Sequence, residues 1–346
     1  MPRKITIDDI AKSLGVSKTL VSLVLNDKAD QHGISIETQK KVKEKIRELN
    51  YKPDVLARGF RTGKTNTIGL IVSDISNRFY ARIARSIEDL AWGHGYTVII
   101  SSTDEDVTKE KEQIRQLRDR KLDGLIISTS QDNPEFFDKL VNAGFPHVLI
   151  DRTFKDMLSP NVSVDNFGGA RMAARHLLHQ GIKRIAVVAI TPDHISTISD
   201  RIKGFQSALA EEGAQVPEDW IIRTPFGEMD KTIKEKLLHF YQDGNMPEAI
   251  FSLNNNLTAA CMQNLRNLSI DIPRQVSIIG FDDVSFFSFT RPSISVIAQP
   301  IERISEVAFD LLMRQIEGNN ITEAEKTVKL PVDIIIRESS LKPRSI

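Results

Sequence analysis

Apolar and polar positions divide the chain into two kinds of pattern. From Thr67 onward, short apolar runs alternate with amphipathic stretches at helical spacing: TIGLIVSD then Phe79–His94, YTVIISS then Lys109–Arg120, LDGLIIST then Glu135–Ala143, and FPHVLID. The rhythm restarts with RIAVVAI, Arg201–Glu212, WIIRT, Asp230–Phe240, AIFSL, Leu257–Leu268 and VSIIGFDD. Strands that are apolar throughout are covered on both faces. Their alternation with helices therefore predicts parallel sheets wound by helices, here in two successive lobes. Further on, PSISVIAQP reads as a strand returning to the first lobe, Ile301–Ile316 as a helix on it, and VKLPVDIIIRES as a strand returning to the second. With a crossing near VSVDN that makes three, as a hinged two-lobe closure requires.

The first fifty residues carry only helical spacing. Thr6 can cap a helix whose apolar stripe is Ile10, Ala11 and Leu14, with Asp8 and Asp9 near its positive end, and Gly15 stops it. Ser17 can cap a second helix that buries Val21, Val24 and Leu25; a third, from Ser35, buries Val42, Ile46 and Leu49. Two short helices around one glycine inside a three-helix unit match a helix-turn-helix, whose second helix enters the major groove of DNA. With Val21, Val24 and Leu25 inward, Lys18, Thr19, Ser22 and Leu23 face out. Lys18 and Thr19 suit guanine acceptors or phosphates, and Leu23 suits only the thymine methyl. A structural three-helix bundle is the alternative that spacing alone leaves open.

Charge favours the first reading. The net charge is zero, but residues 1–64 carry 14 Lys and Arg against 8 Asp and Glu, and the rest carry 32 against 38. A basic head on an acidic body suits a nucleic-acid partner. At 346 residues the chain is long enough for two or three domains. Its lone cysteine, Cys261, excludes an intrachain disulfide. The opening MPRKITIDD turns acidic where a signal peptide turns apolar, and no apolar run nears the roughly 18 residues of a membrane span. A soluble cytoplasmic protein is expected.

GFRTGKT imitates a phosphate-binding loop, but three residues rather than four separate Gly59 from Gly63, and a strand pattern follows where a helix is needed. Nucleotide binding is not expected. Pro53 instead suits the start of a helix through Val55, Leu56, Ala57 and Phe60, too short to be helical alone in water. A solvated basic linker is the other reading of this segment.

The strand ends are polar: Asp74, Ser102, Ser128, Asp151, Thr191, Asn254 and Asp282. Ligands of open parallel sheets bind beyond the carboxyl ends of the strands, so these residues outline a cleft suited to a polyhydroxylated molecule.

TIDDIAKSLGVSKTLVSLVLN, NYKPDVLARGF and NTIGLIVSDISNRFYARI resemble the helix-turn-helix, hinge and effector-domain start of the lac-repressor (LacI/GalR) family, and the likeness runs nearly end to end. It implies an α/β chain with a helix-turn-helix head over 1–50, a hinge helix over 51–65, and a two-lobe, periplasmic-binding-protein-like body over 66–346. The lobes are expected at 66–160 with 294–320, and at 161–293 with 321–340. In such a family the hinge helix enters the minor groove, with Phe60 at the position of the wedging residue and Arg58 and Arg61 on phosphates. Thr6, Ser17, Asn26 and Tyr51 complete the candidate DNA contacts. In the cleft, the resemblance places Arg201, Asn254, Asp282 and Asp151 at polar contacts, and Phe79, Tyr80 and Phe226 as aromatic walls, for which ordinary core packing is an equal alternative. Two features depart from the family pattern: a longer loop, DKADQHGIS, and Leu23 where relatives carry a polar base reader. Arg78 replaces a small residue or proline; it either meets an anionic ligand or points to water.

The resemblance implies a homodimeric DNA-binding regulator, expected to repress, whose operator affinity a small carbohydrate controls; the chain stops soon after RESS, without the heptad tail of tetrameric relatives. A solute-binding protein shares such a body but lacks the head. No nucleophile elbow, HExxH or CxxC is present, and His176 with His179 reads as an exposed helix face rather than a metal site. Neither enzymatic activity nor a cofactor is expected.

Overall fold

The computed structural model describes residues 5–51, 64–192 and 194–342. Arg58, Phe60 and Arg61 of the expected hinge fall outside them, as does most of GFRTGKT. The chain divides into two compact units, Met1–Thr65 and Asn66–Ile346.

In the first unit, helices α1 (Ile7–Leu14), α2 (Lys18–Leu25) and α3 (Ile36–Glu48) enclose a core of Ile10, Ala11, Val21, Val24, Ala29 and Val42. Each start is fixed by a side chain. Thr6 and Asp9 form a reciprocal capping box, and Ser17 and Ser35 accept from the amides of Leu20 and Thr38. Gly15 ends α1 at φ +65°, a conformation that favours glycine. The longer loop contains a single 3₁₀ turn, Asp30–His32, tied down by Gln39, whose amide donates to Asp30 (2.7 Å) and to the Ile34 carbonyl (2.9 Å).

The second unit holds two six-stranded sheets. The first contains β1 (Thr67–Val72), β2 (Thr97–Ser102), β3 (Gly124–Ile127), β4 (His147–Ile150), β5 (Asn161–Val164) and β11 (Thr327–Leu330) in the order β11-β5-β4-β3-β1-β2, all parallel. The second contains β6 (Ile185–Ile190), β7 (Ile221–Thr224), β8 (Ala249–Ser252), β9 (Ser277–Phe281), β10 (Ser295–Ala298) and β12 (Asp333–Ile335) in the order β12-β10-β9-β8-β6-β7. Only β12 runs antiparallel to its neighbour there. Strand β1 shows why its sequence is apolar throughout: Ile68, Leu70 and Val72 enter one core, and Ile71 enters the core on the opposite face.

The strand memberships correct two expectations. The sequence places β10 in the first lobe and β5 in the second, whereas β10 lies in the second sheet, paired to β9, and β5 in the first. VKLPVDIIIRES is two strands, β11 in the first sheet and β12 in the second, broken at Pro331, which can donate no ladder hydrogen bond. Apolar runs show that a segment is buried, not against which lobe. The chain still crosses three times, after β5, after β10 and after β11; the helix Ile301–Ile316 packs on the first lobe.

Candidate functional site

The strand order reverses beside β1 in one sheet and beside β6 in the other, and the cleft lies beyond these switch points. A cavity of about 60 Å³ opens there. Its polar floor is built from two topologically equivalent positions. Asp151 follows β4 and Asp282 follows β9, each the fourth strand of its lobe, and both take left-handed backbone conformations, φ +65° and +75°. Non-glycine residues take such φ values infrequently, aspartate and asparagine more readily than most.

Asp151 is almost fully buried and accepts from the Tyr80 hydroxyl (2.9 Å), which lies 3.0 Å from Ser128 Oγ. Tyr80 is thus a polar support rather than an apolar wall; burial raises its pKa and keeps the phenol protonated as a donor. Ser128 is wholly buried behind the lining and acts only through Tyr80 and Asp151. Asp282 accepts from Gln299 Nε2 (2.6 Å) and from the Asn255 backbone; burial pushes its pKa up, opposed by the charge of Arg201.

Arg201 stands on α8 (Ser196–Glu211), where Nε donates to Asn166 Oδ1 (2.8 Å) and Nη1 to the Leu253 carbonyl (2.6 Å). Its guanidinium lies 3.6 Å from the centroid of Phe281. Burial lowers its pKa, opposed by Asp282 and Asp151. Asn254 lines the cleft and also caps α10 (Asn255–Asn267), accepting from the Leu257 amide (2.8 Å). Asp74, Phe79 and the half-buried Phe226 complete the sequence-derived residues on the lining. Ser102 and Thr191 do not reach it: Ser102 accepts from the Ile75 amide, and Thr191 sits 3.5 Å from the Thr224 carbonyl.

Sequence reasoning missed Glu105 and Arg152. Both are buried and joined bidentately, at 2.6 and 2.7 Å, with Ser130 Oγ donating to the same carboxylate. Burial would raise the Glu105 pKa, but the charge and bonds of Arg152 outweigh it and hold it below the ordinary value. Arg152 directly follows Asp151, so a strand end read one residue further would have found it. Asn77, Thr197 and Gln299 also line the cleft unforeseen.

The lobes meet around this cleft. Arg78 is exposed and off the cleft lining, as the reading that points it to water expects, with its guanidinium 5.5 Å from the centroid of the Phe286 ring of the second lobe. His194 Nε2 is 3.3 Å from the Ser130 carbonyl, and the Thr153 amide donates to Ser196 Oγ (3.0 Å). His176 is buried against Ser340 Oγ (2.7 Å), not exposed as expected; only His179 is. No cluster of three metal-binding side chains occurs among the described residues.

In the head, Lys18 and Thr19 are exposed and Ser22, Leu23 and Asn26 half-buried. Several candidates also have local duties. Lys18 pairs with Asp8 (3.1 Å), Asn26 bonds the Ser22 carbonyl (2.6 Å), Thr6 and Ser17 cap helices, and Tyr51 packs on the core.

Residues 6–54 match the bacterial regulatory proteins of the lacI family, and residues 174–340 match the periplasmic binding protein-like domain. The HTH-type transcriptional regulator DegA of Bacillus subtilis (strain 168) is 35% identical over 341 residues, covering 97% of this chain and 98% of its own. The chain belongs to the LacI family. Catabolite control protein A of Priestia megaterium is 32% identical, covering 97% and 99%. The lac repressor dimer bound to operator and the anti-inducer ONPF shares the fold (TM-score 0.84, 22% identity, 98% of this chain and 100% of that one). A periplasmic binding protein/LacI transcriptional regulator from Alkaliphilus metalliredigens QYMF, complexed with D-xylulofuranose, is 28% identical (TM-score 0.67, 79% and 98%). This LacI-family chain is thus a DNA-binding transcriptional regulator with an effector-binding body, not an enzyme. The head match and the full-length relatives leave no support for a transport-type solute-binding protein. No helix among the described residues is long and apolar enough to cross a membrane.

Proposed function

We propose that the cleft binds a sugar or sugar derivative as effector, and that two copies of the chain act in the cytoplasm as a homodimeric repressor on a near-palindromic operator. The observation that carries the sugar reading is the convergence of the paired left-handed aspartates, Asp151 and Asp282, with Arg201 and Asn254 on one small cavity. Carboxylate, guanidinium and amide groups beside the buried Phe79 and half-buried Phe226 suit vicinal hydroxyls on an apolar ring face. The D-xylulofuranose held by the related regulator supports the same class. Lys18, Thr19, Ser22 and Leu23 are proposed as the base-reading face, Phe60 as the wedge at the operator centre, with Arg58 and Arg61 on phosphates. Two-fold symmetry supports the dimer, because one head reads only a half-site, and exposed Trp92 and Phe289 offer apolar surface for pairing.

Thermal-shift screening of sugars and sugar phosphates on the full chain, followed by operator binding with and without the hit, tests this. A stabilising sugar that changes operator affinity is expected. Failure of every sugar to bind, or binding without effect on DNA, would count against it.

A further inference from the structure

The charges of the cleft restrict its ligand more tightly than its hydroxyls do. Among the described residues four carboxylates line it, Asp74, Glu105, Asp151 and Asp282, against two guanidiniums, Arg152 and Arg201. Glu105 and Arg152 neutralise each other through two short parallel bonds. Of the acids acting on Arg201, Asp282 acts most strongly. Asp151 accepts from Tyr80, acts on Arg201 less strongly than Asp282 does, and has the flank of Arg152, whose Nε stands 3.8 Å away on a guanidinium already committed to Glu105. Among the described residues, the Asp74 carboxylate accepts from the amide and hydroxyl of Ser76, both at 2.8 Å, and pairs with no cation. The cleft therefore carries a surplus of negative charge.

Unpartnered atoms on the lining call for both a donor and an acceptor from the ligand, as a hydroxyl supplies. Among the described residues of the lining, Gln299 Oε1 is a buried acceptor and Arg152 Nε a buried donor without a hydrogen-bond partner. A ligand hydroxyl satisfies either atom, donating to the acceptor or accepting from the donor, and an ammonium group satisfies the acceptor and the surplus carboxylates. A phosphate or carboxylate would instead be desolvated against like charge.

Resting on the reading of the cleft as a sugar site, we infer that the effector is a hydroxyl-rich molecule without negative charge, a neutral sugar or an amino sugar, and that the cleft rejects the matching sugar phosphates and sugar acids. The carboxylates perform the rejection, and Asp74, half-buried and without a cationic partner among the described residues, sets part of it.

Calorimetric titration of the full chain with matched sets tests this, each set comprising a neutral sugar, its amino derivative, its terminal phosphate and its acid. The neutral or amino members should bind, and the anionic ones at least about tenfold more weakly. The gap should narrow as salt rises, because screening weakens repulsion, and should narrow in Asp74→Asn. An anionic member that binds more tightly than its neutral parent, or whose affinity falls with added salt, overturns the inference. If no member of any set binds while the operator is still recognised, the sugar reading fails and this inference with it. A neutral sugar that binds without altering operator affinity defeats the regulatory reading while upholding the charge preference.

Discussion

The Glu105–Arg152 pair is where a single residue matters most to the body. Truncating Arg152 leaves a buried carboxylate uncompensated, a loss of about 3–5 kcal/mol, whereas replacing both partners by apolar residues removes the uncompensated charge as well. Denaturant unfolding of Arg152→Leu should therefore show a large loss, and Glu105→Met/Arg152→Leu a much smaller one; equal losses would mean the pair is not the source. Its pH dependence has a definite sign. Because the folded state holds Glu105 below the ordinary 4.5, its stabilisation is complete above that value and is lost as pH falls through the folded pKa. The melting temperature should fall as the solution is acidified below about pH 4.5, and less steeply in Glu105→Gln. At this scale the sequence was informative about the ends of strands, since Asp74, Asp151, Asn254 and Asp282 reach the cleft. It was silent about partners. Nothing in spacing indicates that Tyr80 donates to Asp151, or that Glu105 and Arg152, 47 positions apart, will meet.

Among the elements, α8 carries Arg201 and packs closely on α7 (Asn166–His179). Gly204, one turn beyond Arg201, permits this approach: a Cβ there would collide with the Phe167 backbone, which cannot swing aside as a side-chain tip can. Gly204→Ala should therefore push α8 outward and draw Arg201 from its bonds to Asn166 and Leu253. Unfolding should show a loss of about 1–3 kcal/mol, and effector titration a weakened affinity. Unchanged affinity in a folded variant would show that Arg201 tolerates the shift. The elements themselves were legible, because periodicity reports burial and caps such as Ser17 and Ser35 report starts. Sheet membership was not. β10 is as apolar as a strand of either lobe, and only the three-dimensional pairing with β9 decides where it lies.

For the whole molecule, three crossings between lobes and three contacts around the cleft, at Arg78, His194 and Thr153, make lobe closure the natural variable for a ligand to control. If a ligand prefers one lobe arrangement and operator DNA prefers one state of the chain, linkage requires that each change the other's affinity by the same factor. The family resemblance carried this organisation from the sequence, but the identity of the ligand depends on charges that only the assembled cleft brings together. The most direct test is to measure operator affinity with and without a saturating cleft ligand, and ligand affinity with and without saturating operator. Two equal factors are expected, both different from one. Operator affinity unmoved by a ligand that demonstrably fills the cleft would contradict this.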